Sequence, residues 1–260
     1  MSAFRPVYRL TRRRLLVSAG AGVLGISVVS TIAGCTTAPD ESAPAGGGTP
    51  GAGSPEGGSG DTLAGGWRRV ELSFVSAYLL IRGGEAAVVD LGTPGSGPAI
   101  EAGLTAAGAG WDAVRHVILT HQHQDHAGGA AEVAPKVTAG SLYGGTADVA
   151  AISSPTPLTA VDDGDEIFGL QVIGTPGHTA GHIAVFDPST GVLVAGDALR
   201  TTDGLTGPDP QYTADMTQAA ASVRKLAALD VRVILPGHGA PLTDGAAEAL
   251  AKLAAAQPPR

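Results

Sequence analysis

Thr120-His121-Gln122-His123-Gln124-Asp125-His126 is the stretch on which the reading of this chain turns. Three histidines and an aspartate crowd into it, directly after the apolar run 114–120, which reads as a β-strand. In extended backbone, residues i and i+2 point to one side, so His121 and His123 can grip one metal ion. Asp125 and His126 follow where the chain is expected to turn into a helix around 128–132, and they can face a second ion nearby. Imidazole nitrogen and carboxylate oxygen are usual zinc ligands, and the lack of cysteine here removes the structural zinc-finger reading.

Outward from this stretch the same chemistry recurs. Asp90-Leu91-Gly92 closes a short apolar run upstream. Downstream come Thr175-Pro176-Gly177-His178-Thr179-Ala180-Gly181-His182, then Gly196-Asp197 after the run 192–195, then Pro236-Gly237-His238-Gly239. In this order the elements resemble the metallo-β-lactamase superfamily, with 121–126 matching its HxHxDH motif; the resemblance covers essentially all of 67–260. It implies an α/β chain in a four-layer αββα arrangement. It implies that His121, His123 and His178 bind one metal, that Asp125, His126 and His238 bind a second, and that Asp197 bridges them. Two zinc ions are expected, with manganese or iron as alternatives. The implied chemistry is hydrolysis by a water that the metals activate, with Asp125 as the catalytic group that orients it or relays its proton. His182 reads as a supporting or strand-facing residue, His116 as a core or edge histidine, and Asp90 as a turn or supporting residue.

The resemblance also narrows the substrate. Residue 197 is Asp, and the one cysteine of the chain lies far upstream, whereas antibiotic-degrading branches usually carry Cys at that position or lack a bridging Asp. The short stretch after His238 is expected to leave no room for the helical glutathione-binding domain of glyoxalase II enzymes, nor does the chain have room for the inserted domains of the nuclease branches. Diiron flavoproteins carry an acid in the region where this chain has Gln122 and His123. A compact hydrolase of small esters, thioesters or lactones remains. Lactonases of this fold often have Tyr just after the Gly-Asp; here Arg200 stands close by, and Tyr212 is the nearby tyrosine. Both are candidate substrate residues. The alternatives are a mononuclear-iron sulfur dioxygenase, which metal identity would separate, a β-lactamase, and a non-catalytic metal-binding lipoprotein.

The rest of the chain sets the context. It has 260 residues, 4% aromatic, and a formal net charge of −8, which suits one globular domain with extensions. The arginines Arg5, Arg9, Arg12, Arg13 and Arg14 gather at the N-terminus, and the remainder is acidic. An acidic body without a basic patch argues for a small-molecule substrate and against nucleic acid as partner. Residues 1–34 read as a signal peptide: Arg12-Arg13-Arg14 precede an apolar run, in the manner of a twin-arginine signal, and Ile32-Ala33-Gly34-Cys35 resembles a lipobox. Lipidation of Cys35 would anchor the exported protein to the outer face of the bacterial cell membrane. Residues 35–66 are rich in Gly and Pro, lack aromatics, and read as a disordered linker.

In 67–260, short β-like runs alternate with Ala-rich helical stretches. Strands are expected across 67–81, with Val70, Leu72 and Phe74 alternating, and at 86–90, 170–173, 183–186, 192–195 and 231–235. Helices are expected at 99–108, 218–229 and 246–256. Gly83-Gly84 and Gly95-Ser96-Gly97 read as turns, not as a phosphate loop.

Overall fold

The computed structural model describes residues 62–258. The expected signal, Cys35 and most of the expected linker lie outside the described residues. Of the linker, 62–66 is described and ordered. A 3-10 turn at Ala64–Gly66 leads into the first strand, and Leu63 N–H bonds to Trp67 O at 2.6 Å.

The described strands form two sheets. The first runs in the order β1 (Trp67–Leu72), β2 (Val75–Arg82), β3 (Glu85–Val89), β4 (Val114–Leu119), β5 (Ser141–Gly145), β6 (Thr159–Val161). Its first three strands are antiparallel and the rest are added in parallel. The helix α1 (Gly97–Ala106) connects β3 to its parallel neighbour β4. Between β4 and β5 lie two short helices, α2 (Gln124–Ala127) and α3 (Ala130–Val133). The second sheet has β7 (Glu166–Ile167), β8 (Leu170–Gly174), β9 (Ile183–Asp187), β10 (Val192–Gly196) and β11 (Val233–Pro236), ordered β11-β10-β9-β8-β7. The helix α4 (Met216–Leu226) precedes β11, and α5 (Ala246–Ala255) follows it.

Side-chain alternation stacks these pieces into four layers. On β2, Tyr78 and Leu80 face the second sheet, packing with Val172, Val185, Val194 and Leu235, while Ala77 and Leu79 face α1 through Ile100 and Leu104. On β10, Val192 and Val194 face the first sheet, while Leu193 and Ala195 pack with Val223, Leu226 and Leu250 of α4 and α5. Strands buried on both faces need no polar side, which is why 86–89 and 192–195 read as unbroken apolar runs. The αββα architecture expected from the motifs is therefore the one observed.

Several local expectations change. In place of the helix expected around 128–132 stand two short ones, α2 before Gly128 and α3 after Gly129; Gly129 packs onto Leu91 so closely that a Cβ there would sit 2.4 Å from Leu91 O. Phe74 is not a strand residue. It occupies the two-residue turn between β1 and β2, with Ser73 at φ 70°. The strands β5, β6 and β7 were not expected; β6 and β7 are too short to show a period, and β5 ends in Gly144-Gly145.

An ion pair whose carboxylate is buried clips the two sheets together. Asp187, at the end of β9, accepts from Arg82 at the end of β2, from Ser189 Oγ at 2.7 Å and from Thr190 Oγ1 at 2.7 Å. Burial works to raise its pKa, but the hydroxyl donors and the Arg82 charge outweigh this and hold it below the usual carboxylate value. A depressed carboxylate contributes stability that is present above the unfolded value of about 3.9 and is lost as pH falls through the lower native one. Asp187→Asn is therefore expected to cost about 2 kcal/mol near neutrality, the worth of a charged hydrogen bond. That difference should shrink toward zero in strong acid. Urea unfolding of both proteins at neutral and acid pH checks this, and a difference independent of pH would contradict it.

Candidate metal centre

The ends of β3, β4, β8, β10 and β11 meet at one edge of the two sheets, and each delivers a polar residue there. Asp90 follows β3, the segment 120–126 follows β4, His178 sits in the loop between β8 and β9, Asp197 follows β10, and His238 follows β11. Every sequence-predicted ligand candidate reaches this point. Three overlapping groups bring their ligand atoms within 4.8 Å of one another: His121, His123 and His178; His121, His126 and Asp197; Asp125, His126 and His238. Inside the cluster His121 Nε2 and His178 Nε2 each lie 3.0 Å from His123 Nδ1. Asp197 reaches across, with Oδ1 at 3.1 Å from His126 Nε2 and Oδ2 at 3.3 Å from His238 Nε2 and 3.4 Å from His178 Nε2.

The outward ring nitrogens set the tautomers. Thr120 donates both its N–H and its hydroxyl to Asp90, at 2.8 and 2.9 Å, so the Thr120 oxygen is left to accept from His121 Nδ1–H at 3.0 Å. Asp90 also accepts from His126 Nδ1–H at 2.8 Å. Thr213 spends its hydroxyl proton on Asp209 O, so it accepts from His178 Nδ1–H at 3.2 Å. His238 Nδ1–H donates to Phe74 O at 2.8 Å. With each Nδ1 carrying the proton, the Nε2 lone pairs of His121, His126, His178 and His238 turn inward. This is the pattern by which outer partners prepare imidazole for a metal.

His182 does not join them. Its Nε2 lone pair accepts the Asp197 backbone N–H at 3.0 Å, and its Nδ1 faces Thr175 Oγ1 at 2.7 Å. It supports the loop that carries Asp197. His116 sits on β4 away from the cluster, beside Tyr143 and Phe168.

The carboxylates draw positive charge to this centre. Asp197 is buried, and its Oδ1 has no hydrogen-bond donor, since His126 Nε2, 3.1 Å away, carries no proton in the tautomer above. Burial works to raise the Asp197 pKa, but His126 and His238 reverse this and hold it well below the usual value. Burial likewise opposes a charge on His126, yet Asp197 and Asp90 prevail and raise its pKa well above 6.5. His238 is pushed up to about 10, with burial opposing and the carboxylates Asp125 and Asp197 winning. His178, buried among other histidines, falls to about 4. The carboxylates thus draw protons onto His126 and His238; a metal ion bound at those Nε2 atoms would displace the protons and supply the positive charge that the buried Asp197 oxygen draws, so the residues present fit a metal ion.

Two further groups shape the centre, and the first carried no signal in the sequence. Asp148, buried after β5, accepts from Gln122 N–H at 3.0 Å, Thr179 Oγ1 at 2.6 Å and Gly181 N–H at 2.7 Å. It ties the 120–126 segment to the His178 loop. Gly237 gives His238 its close approach, since a Cβ there would sit 2.4 Å from Asp197 Oδ1. The glycine beside His238 is visible in the sequence; what it avoids is not.

The candidate substrate residues fare differently. Arg200 spends its guanidinium on Asp209, at 2.6 Å. Tyr212 is exposed and precedes Thr213, the partner of His178.

Comparison with known proteins agrees with this geometry. Residues 70–238 match the family model described as the metallo-beta-lactamase superfamily. A probable metallo-hydrolase, YflN of Bacillus subtilis, is 31% identical over 201 residues, 60% of this chain and 76% of that protein. A hydroxyacylglutathione hydrolase of Pseudomonas putida is 40% identical over 119 residues, 44% of this chain; the match spans only 42% of that enzyme's length. A solved metallo-beta-lactamase family protein of Thermus thermophilus superposes with a TM-score of 0.57 at 26% identity, over 72% of this chain and 77% of that one. Motif order, strand-end geometry and the family match agree: this chain belongs to the metallo-beta-lactamase superfamily and is a metallo-hydrolase.

Proposed function

We propose that this enzyme hydrolyses a small ester, thioester or lactone at a centre of two metal ions. The observation that carries the reading is the overlap of the three donor groups around the buried Asp197, whose two oxygens lie within about 3.5 Å of His126, His178 and His238. His121, His123 and His178 would hold one ion, Asp125, His126 and His238 the other, and Asp197 would serve both. When bound, such ions lower the pKa of water toward neutrality and polarise a carbonyl oxygen.

The chain's own groups do the remaining work. Asp90, Thr120, Thr213 and the Phe74 carbonyl fix the imidazole tautomers, so no ring has to turn as the reaction proceeds. Asp125 lies at the solvent edge of the centre, 3.3 Å from His238 Nε2 and partly exposed. In this reading it would receive a proton from the attacking water and pass it outward. The name of one set of relatives, hydroxyacylglutathione hydrolase, favours thioester-type hydrolysis.

The test is metal analysis of the purified chain beside a panel of lactone, thioester, phosphodiester and β-lactam substrates. Close to two zinc or manganese ions per chain are expected. Turnover of the ester-type members should be lost on chelation and regained on metal addition. A single iron per chain without hydrolysis would overturn the reading in favour of oxygen chemistry.

A further inference from the structure

Each candidate metal group straddles the two sheets. His121, His123, Asp125 and His126 follow β4 of the first sheet, whereas His178 and His238 come from the second. Such a group keeps its geometry only if the loops of one sheet are fixed against those of the other. For His121, His123 and His178 that tie is Asp148, which follows β5 of the first sheet and accepts from Thr179 and Gly181 of the second. For Asp125, His126 and His238 the tie lies elsewhere.

His238 follows β11, the edge strand of the second sheet. The carbonyls around it accept from β1 and β2 of the first sheet. Tyr78 Oη donates to Pro236 O at 2.8 Å, Ser76 N–H to Gly237 O at 2.9 Å, and Arg69 Nη2 to Gly239 O at 3.0 Å. Arg69 Nε also donates to Ser76 Oγ at 2.8 Å, so the donors brace one another. Thr201 N–H holds His238 O from within the second sheet's own loops, and so does not join the sheets.

Arg69 and Tyr78 are directly opposed in the β1–β2 register, and Tyr78 is buried. Burial holds the Tyr78 pKa above its usual value, so the phenol keeps the proton that it donates. Arg69 lies two residues from Trp67, on the side of β1 from which Trp67 packs between the sheets. A cation on a core-facing side breaks the strand's pattern, and such a break points to a role beyond packing.

We propose that Arg69, Ser76 and Tyr78 form a clamp that positions His238, so that the two metal sites are held by separate clamps: Asp148 for the site of His121, His123 and His178, and this one for the site of Asp125, His126 and His238. One ion can then be weakened without the other. The three clamp residues are positioning residues and act through His238. The inference rests on the two-ion reading above, but not on the reaction that the ions serve.

The experiment titrates zinc into the metal-free full chain and its variants Tyr78→Phe, Arg69→Gln and Asp148→Asn. His123→Ala and His238→Ala, each lacking a ligand of one group only, assign the two binding steps. Tyr78→Phe and Arg69→Gln should weaken the ion at the His238 group by about tenfold or more, the usual scale for removing an outer partner, and leave the other ion within about twofold. Asp148→Asn should do the reverse. Arg69→Lys, which keeps one donor for Gly239 O, should recover part of the Arg69→Gln loss. Hydrogen exchange of the metal-free chains reads the clamp without any ion: Tyr78→Phe should speed exchange at Gly237 N–H and leave Gly181 N–H unchanged. Equal weakening of both ions in Tyr78→Phe and Arg69→Gln, or no weakening in either, would overturn the separate clamps. If the wild type takes up one ion only, the two-ion reading fails and exchange decides the clamp. Faster exchange at Gly237 alone then supports it, and the same change at Gly237 and Gly181 overturns it.

Discussion

Asp197→Asn is expected to lower turnover of the best ester-type substrate by roughly 10³-fold, the equivalent of several kcal/mol of transition-state stabilisation from a bound metal. The Asp197 side chain lies within about 3.5 Å of nitrogens from three of the candidate ligands, His126, His178 and His238. The amide keeps the shape of the carboxylate and removes its charge, so the buried unpartnered oxygen no longer draws a cation into the middle of the centre. Metal content should fall with activity. The fold should persist, because the backbone N–H that donates to His182 is untouched. Metal analysis, kcat/KM and a thermal melt on one preparation check this. An Asp197→Asn protein with wild-type metal content and turnover would show that the carboxylate is not part of the centre.

The second large effect is expected at Asp148, through structure before chemistry. Asp148→Ala leaves three buried or half-buried donors, Gln122 N–H, Thr179 Oγ1 and Gly181 N–H, without their acceptor. Each such loss costs about 1–3 kcal/mol, and the three act as one network, so a total of roughly 3–6 kcal/mol is expected. That is a large share of an ordinary stability of about 5–15 kcal/mol. For a domain of this size it corresponds to a fall in Tm of roughly 10–20 °C. The loops cannot close the gap by moving together. They already approach so tightly that a Cβ on Gly145 would lie 1.9 Å from Gly181 O. Because the carboxylate joins the segment carrying His121 and His123 to the loop carrying His178, metal affinity should fall together with Tm. Asp148→Asn keeps one acceptor oxygen and turns an NH2 group toward the remaining donors, so it should fall between wild type and alanine. A melt of Asp148→Ala within 2 °C of wild type would contradict this role.

Much of this protein was legible before any coordinates. The candidate ligands lie in short motifs whose residue types are dictated by metal chemistry, and the motifs come in an order that the fold requires. The long strands were legible because burial on both faces leaves unbroken apolar runs such as Val192 to Ala195. The shortest strands were not, since two or three residues carry no period. Phe74 was misplaced because its alternation with Val70 and Leu72 continues the strand pattern one residue into the turn.

The sequence by itself thus determined the order of short donor motifs at strand ends, and through the resemblance of that order to the metallo-β-lactamase superfamily it implied the αββα fold, the family and the candidate ligands. The motifs are local patterns: donors a few residues apart at a strand's end. Only the tertiary structure decided which donors face inward. That depends on contacts between segments far apart in the chain: Asp90 with Thr120 and His126, Thr213 with His178, Asp148 with Gln122 and Gly181. It also decided that the His182 lone pair is spent on the Asp197 N–H. A hydrogen bond between side chains 30 residues apart leaves no period and no spacing to read, because its geometry exists only once the sheets have packed.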